Sequence, residues 1–258
     1  MSSPRKWLIV VVPLAIGLGA LPWLLSRNPT VVSSPSPPAV GSSADTRLTE
    51  AASILRGIDG KSADASSTAL SKLSGLLSSM DQAESVRWIR EFLATGEDRI
   101  TGLSFVIGAD GQLNEWPTLR TFLIDRMLAL DPEAAATLSR EILASPTSSD
   151  EWAVCLRNIG RAEDGSNNQD FLRTKTEELI RNPEWMKTPS IGYLNAFDVF
   201  VHIGADASTP LLSELVQRKD RKDLAHAGFL TLDRLVQRKP AEMLTRLAAD
   251  RKIGRAHV

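Results

Sequence analysis

TLRTFLIDRMLALDPEAAATLSREI, residues 118–142, decides the fold class of this chain. In its first half Leu119, Phe122, Leu123, Met127 and Leu130 recur at helical spacing and form one apolar stripe. Asp131-Pro132-Glu133 then carries three signals of a new helix: an N-cap aspartate, a proline at the first helical position, and an acid in the first turn. Ala135, Leu138 and Ile142 continue at the same spacing. Two amphipathic helices meet with almost nothing between them, which is the unit of an all-α protein.

The same pattern extends in both directions. Asp150 opens a helix with Trp152, Leu156 and Ile159 facing inward, and residues 170–181 carry Leu172, Leu179 and Ile180. Residues 189–203 carry Leu194, Phe197, Phe200 and Val201. Thr209-Pro210 starts the next helix, with Leu211, Leu212, Leu215 and Val216. Residues 223–236 carry Ala225, Phe229, Leu232, Leu235 and Val236, and Pro240 opens a last helix with Met243, Leu244 and Leu247. On the N-terminal side, residues 48–95 hold about three more, one of them bearing Val86, Trp88, Ile89, Phe92 and Leu93. Strand alternation is nearly absent; the exception is Leu103-Ser104-Phe105-Val106-Ile107, read either as a brief extended segment or as a buried turn of helix.

Paired helices begin near Pro132, Asp170, Thr209 and Pro240, spaced roughly 30–40 residues apart, inside the range of two-helix repeat units. Leu215-Val216-Gln217-Arg218-Lys219 returns as Leu235-Val236-Gln237-Arg238-Lys239, each at a predicted helix end where cations complement the helix dipole. Over residues 132–250 the chain resembles the HEAT-like α-solenoid proteins. Only part of their pattern of proline in the first helix and Asp/Arg near the turn is present. The resemblance implies stacked helical hairpins and a binding surface along one face. The alternative architecture is an irregular helical bundle.

Residues 7–25, WLIVVVPLAIGLGALPWLL, are apolar throughout, and as a helix they would reach about 28 Å, near the thickness of a bilayer core. Arg5 and Lys6 precede them and only Arg27 closely follows. The charge bias predicts a single transmembrane helix with residues 1–6 cytoplasmic and the rest outside, periplasmic in a bacterium. The run exceeds a signal-peptide core, and the small-residue sites Leu18-Gly19-Ala20 and Ser42-Ser43-Ala44 lie inside it or far beyond it, so the anchor is read as uncleaved. Residues 26–46 are rich in Pro and Ser and predict an extended linker. A helical, solenoid-like extracytoplasmic domain then occupies residues 47–252. The last residues, Ile253-Gly254-Arg255-Ala256-His257-Val258, match the translation of a common sequencing adapter up to its stop codon, so residues 253–258 are read as an artefactual tail on a truncated gene.

The chemistry is sparse. A net charge of -1 gives no electrostatic case for nucleic acid. The one cysteine, Cys155, cannot form an internal disulfide and is expected to be a buried, inert thiol. His202 has Asp198 and Asp206 four residues to either side, but Gly204 is expected to end the helix between them, which leaves a surface or satisfied-core histidine rather than a metal ligand. Asp164-Gly165-Ser166-Asn167-Asn168-Gln169-Asp170 has the oxygen-rich look of a calcium loop without its glycine and glutamate, so a polar loop ending in an N-cap Asp170 is the better reading. Gly108-Ala109-Asp110-Gly111 is a turn signal. No nucleophile elbow, Walker A, zinc-protease or haem motif occurs, and no cofactor, metal or catalytic residue is expected. Trp88, Trp116, Trp152 and Trp185 in the helical part are read as core; Trp116 and Trp185 sit beside prolines at loop edges and are alternatively the candidates for an interaction surface.

The reading is a membrane-anchored helical-repeat scaffold that binds a protein or an envelope polymer, held in the inner membrane by residues 7–25. The alternative is the helical front part of an envelope enzyme whose catalytic domain is missing.

Overall fold

The structure, a computed structural model, describes residues 41–109, 111–163 and 166–249. The expected anchor, most of the linker and the expected tail at 253–258 lie outside the described residues. Among the described residues no helix is long and apolar enough to cross a membrane. The expected fold with a transmembrane helix is therefore corrected to a mostly helical one whose described residues include no helix able to cross a membrane. The single-pass, inner-membrane placement loses its structural ground. Helix α1 starts at Gly41, inside the stretch read as linker.

Three helices, α1 (Gly41–Leu55), α2 (Ala63–Ser79) and α3 (Gln82–Ala94), precede a small antiparallel hairpin of β1 (Val106–Ile107) and β2 (Leu113–Glu115). Then come α4 (Leu119–Leu130), α5 (Pro132–Ile142), α6 (Ser149–Ala162), α7 (Ser166–Arg181), α8 (Pro183–Lys187), α9 (Ile191–Asn195) and α10 (Asp198–Ile203). A 3-10 turn at Asp206–Ser208 leads into α11 (Thr209–Val216), α12 (Lys222–Arg238) and α13 (Pro240–Ala249). Of the two readings of residues 103–107, the extended one holds: its last two residues are strand, exposed rather than a buried turn of helix, and their partner β2 had no clear signature.

Capping chemistry places the α4–α5 corner. The Thr118 hydroxyl accepts from the Thr121 N–H at 3.2 Å, and the Asp131 carboxylate accepts from the Ala134 N–H at 2.9 Å while Pro132 fills the first turn. α4 buries more than a stripe: Thr121 and Ile124 are buried beside Leu119, Phe122, Leu123 and Met127. α6 is sunk deeper still, with every residue from Glu151 to Leu156 and from Asn158 to Gly160 buried against its helical neighbours. Two of its buried polar side chains find partners: the Asn158 amide N–H donates to the Ile124 carbonyl at 2.8 Å, leaving its own Oδ1 without a hydrogen bond, and Glu151 meets Arg120 at 2.8 Å.

Three boundaries and one facing differ from the sequence expectation. The helix expected at Asp150 is capped two residues earlier by Ser148, and α7 begins at Ser166, so Asp170 lies inside the helix and pairs with Arg173 at 3.3 Å. The helix expected over 189–203 is α9 and α10, joined by an Ala196-Phe197 segment with i→i−3 bonds such as Phe200 N to Phe197 O at 3.1 Å. Phe229, expected inward, is 56 % exposed. The reason is Gly228: a Cβ there would sit 3.2 Å from the Leu212 carbonyl oxygen, so α11 and α12 approach closely at this glycine, and the close approach turns Phe229 outward.

The two LVQRK copies do different work. Arg218 lies past the end of α11 and forks onto Asp220 at 3.1 and 2.5 Å. Arg238 donates to the His202 carbonyl at 2.7 Å and Lys239 to the Gly204 carbonyl at 3.1 Å, so the second copy caps the carbonyl end of α10. That end is fixed by Gly204 in the left-handed region, φ 62°.

Cys155 is fully buried in the middle of α6, and burial pushes its thiol far above the ordinary range. An aromatic disulfide reagent is expected to leave it untouched in native buffer and to titrate it in denaturant. Rapid native modification would contradict this burial.

Candidate functional site

The hairpin lies over α6 and encloses a hollow of about 280 Å³ with α6, α9 and α10. Its floor and walls are apolar: Phe105, Ile107 and Leu113 from the hairpin, Ala153, Val154 and Leu156 from α6, Val199 from α10. Polar groups sit among them: Arg157 and Arg161 from α6, Asn195 from α9, Asp198 and His202 from α10. A mostly apolar concavity with a few polar groups is the general form of a binding site.

The hairpin is held rigidly. The carbonyl of Gly111 at its tip accepts from Arg161 at 2.7 Å and from Arg157 at 3.1 Å. Arg157 also donates to Asp125 of α4 at 2.6 Å, and the indole N–H of Trp116 reaches the other Asp125 oxygen at 3.1 Å. Burial raises the Asp125 carboxyl above its ordinary value, against the pull of Arg157. At the foot of the hairpin, the Thr101 hydroxyl donates to the Trp116 carbonyl at 2.6 Å.

The opposite wall depends on Gly192. A Cβ at this position would lie 2.2 Å from the Asp150 carboxylate and 3.0 Å from the Phe105 ring, so only glycine lets α9 approach the hairpin and α6 together. Asp150 receives the Gly192 N–H at 3.1 Å and the Ser190 hydroxyl at 2.5 Å. Desolvation nevertheless raises its carboxyl, with the neighbouring Glu151 charge adding to the shift. A raised carboxyl binds its proton more tightly folded than unfolded, so acidification through the folded value toward the ordinary one adds stability. The stability advantage of the parent over Asp150→Asn is expected to grow between pH 7 and pH 4 in urea melts. A gap that narrows on acidification would contradict the assignment.

Trp116 and Trp185 are not brought together. Trp116 packs edge-on against Phe122 with ring centres 5.0 Å apart and lines a second hollow, of about 590 Å³, on the other side of the hairpin, where Ser67, Ser71 and Ser74 of α2 face Asn114 and Arg126. That hollow is larger but more polar, with less to offer an apolar ligand. Trp185 of α8 lies edge-on to Trp152 at 5.2 Å.

His202 lines the first hollow with its Nε2 3.0 Å from the Gly160 carbonyl oxygen. Its two neighbouring acids are spent elsewhere: Asp198 pairs with Arg234 at 2.5 Å and Asp206 with Arg246 at 2.7 Å. Among the described residues no group of three or more His, Cys, Asp and Glu side chains is placed to hold a metal ion. Asn168 of the oxygen-rich segment bonds Glu163 and Arg140, whereas Asp164 and Gly165 lie outside the described residues. His226 is exposed on α12.

The hairpin hollow escaped sequence reasoning. Its signals were weak: a β-prone run before a Gly-rich turn, and Arg157 and Arg161 four apart on one amphipathic helix. No known protein family, curated protein or solved structure matches this chain.

Proposed function

We propose that this protein is a helical scaffold that captures a segment of another protein in the hollow between the β1–β2 hairpin and helices α6, α9 and α10. The observation that carries the reading is the combination of an apolar hollow with walls pinned by the Asp125–Arg157–Gly111 network. A rigid concavity spends little ordering entropy when it binds. Exposed Val106 and Ile107 extend its apolar surface along the hairpin. The packing of neighbouring antiparallel helices such as α5 on α6 and α11 on α12 supports the helical-repeat part of the reading.

The test is site-directed photo-crosslinking in the cell that makes the protein. A benzophenone amino acid at Ile107, in the hollow, is expected to give discrete protein adducts. The same group at Arg87, an exposed side chain on α3, is expected to give none of them. The same adducts from both positions, or no adduct from position 107, would refute the proposal.

A further inference from the structure

We infer that the partner segment pairs a large apolar side chain with an acidic one, the apolar group filling the hairpin hollow and the carboxylate meeting Arg161. This deepens the protein-capture reading above and rests on it. The argument is one of charge complementarity. Three charged side chains, Arg157, Arg161 and Asp198, line the hollow. Arg157 is neutralised by Asp125 at 2.6 Å, and Asp198 by Arg234 at 2.5 Å. Arg161 donates only to the Gly111 carbonyl, at 2.7 Å, and meets no carboxylate within ion-pair range among the described residues. Its side chain is exposed, so a guanidinium with donors to spare stands at the edge of an apolar depression.

A guanidinium beside apolar surface favours a carboxylate, which it grips with paired N–H···O bonds. The source is a side chain rather than a chain terminus. Terminal carboxylates are captured by nests of backbone N–H groups, and this edge of the hollow presents a carbonyl, that of Gly111. At about 280 Å³ the hollow has room for one or two apolar side chains. The acid belongs close in sequence to the apolar anchor, because Arg161 and the apolar Leu156 and Val154 line the same hollow from one helix.

Random heptapeptides displayed on phage, selected on the full chain, test this directly. Enriched sequences are expected to place Asp or Glu within two positions of Leu, Ile, Phe or Trp. Arg161→Gln is expected to keep the apolar preference and lose the acidic one. Arg87→Gln should behave as the parent, and Asn195→Trp, which fills the hollow from its rim, should abolish enrichment. For one selected peptide, changing its acid to the matching amide should weaken binding to the parent by about tenfold and to Arg161→Gln by less than about twofold. Thermal melts of Arg161→Gln should match the parent, since the exposed side chain makes a single bond to Gly111.

Enrichment without an acidic preference, or an acidic preference that survives Arg161→Gln, would overturn the inference. So would the absence of enrichment. In each of these cases the photo-crosslink from position 107 decides the protein-capture reading separately.

Discussion

Glu151→Gln is expected to destabilise the protein by about 3–5 kcal/mol, among the largest effects of any single side-chain change. The Glu151 and Arg120 side chains are only 7 % and 12 % exposed, and they are joined by two bonds, Nε to Oε1 at 2.8 Å and Nη2 to Oε2 at 3.2 Å. Arg120 also donates to the Leu93 carbonyl, the end of α3, at 2.8 Å. One ion pair thus ties α3, α4 and α6 together. The amide keeps the shape of glutamate and removes its charge, so the guanidinium stays buried without its paired carboxylate, with only the more distant Asp98 charge to offset it. The cost comes from that unpaired charge more than from the lost bonds. For a domain of this size the melting temperature should fall by roughly 6–20 °C.

The double variant Arg120→Met, Glu151→Leu separates the two explanations. If the orphaned charge is the cause, replacing both partners with apolar groups should recover most of the loss, because buried pairs often only break even against hydrophobic packing. Urea melts of the three variants decide it. A loss below about 1 kcal/mol for Glu151→Gln would mean that water reaches the pair.

This pair also marks how far the sequence can be read. The helical corner at Asp131-Pro132 was legible because capping is local: the Asp131 carboxylate and the Ala134 N–H are three residues apart. Glu151, in the first turn of an amphipathic helix, reads as a solvated acid, and its partner is distant in the chain. Nothing local reports a long-range ion pair. Phe229 failed for a related reason. Helical spacing gives the periodicity of an apolar face, but its angular position was set by Gly228 meeting α11. The hollow was hidden because its walls come from a two-residue strand, a single glycine at 192 and two arginines. None of these repeats at a period that a pattern search detects. The α9–α10 junction was invisible because both sides keep right-handed helical backbone and only the hydrogen-bond spacing changes.

The contrast between two tryptophans gives the second large effect. Trp152→Ala should cost about 3–5 kcal/mol, because the ring is one of the largest fully buried side chains. The indole N–H donates to the Ser145 carbonyl at 2.9 Å, so the truncation also removes a bond at the α5–α6 turn, although that carbonyl keeps the Thr147 N–H at 2.9 Å. Trp185 is half-buried on the short α8 and rests its ring against Trp152, while the Lys175 ammonium stands 5.1 Å from the Trp152 ring centre. Trp185→Ala removes that cover and should cost about 1–2 kcal/mol. A structural role for Trp185 predicts one further outcome: Trp185→Ala lowers the midpoint of urea unfolding and leaves the photo-crosslinking pattern from position 107 unchanged. If Trp185→Ala instead kept full stability and erased those adducts, the ring would be a contact for the partner, and the binding surface would have to be moved from the hairpin hollow toward α8.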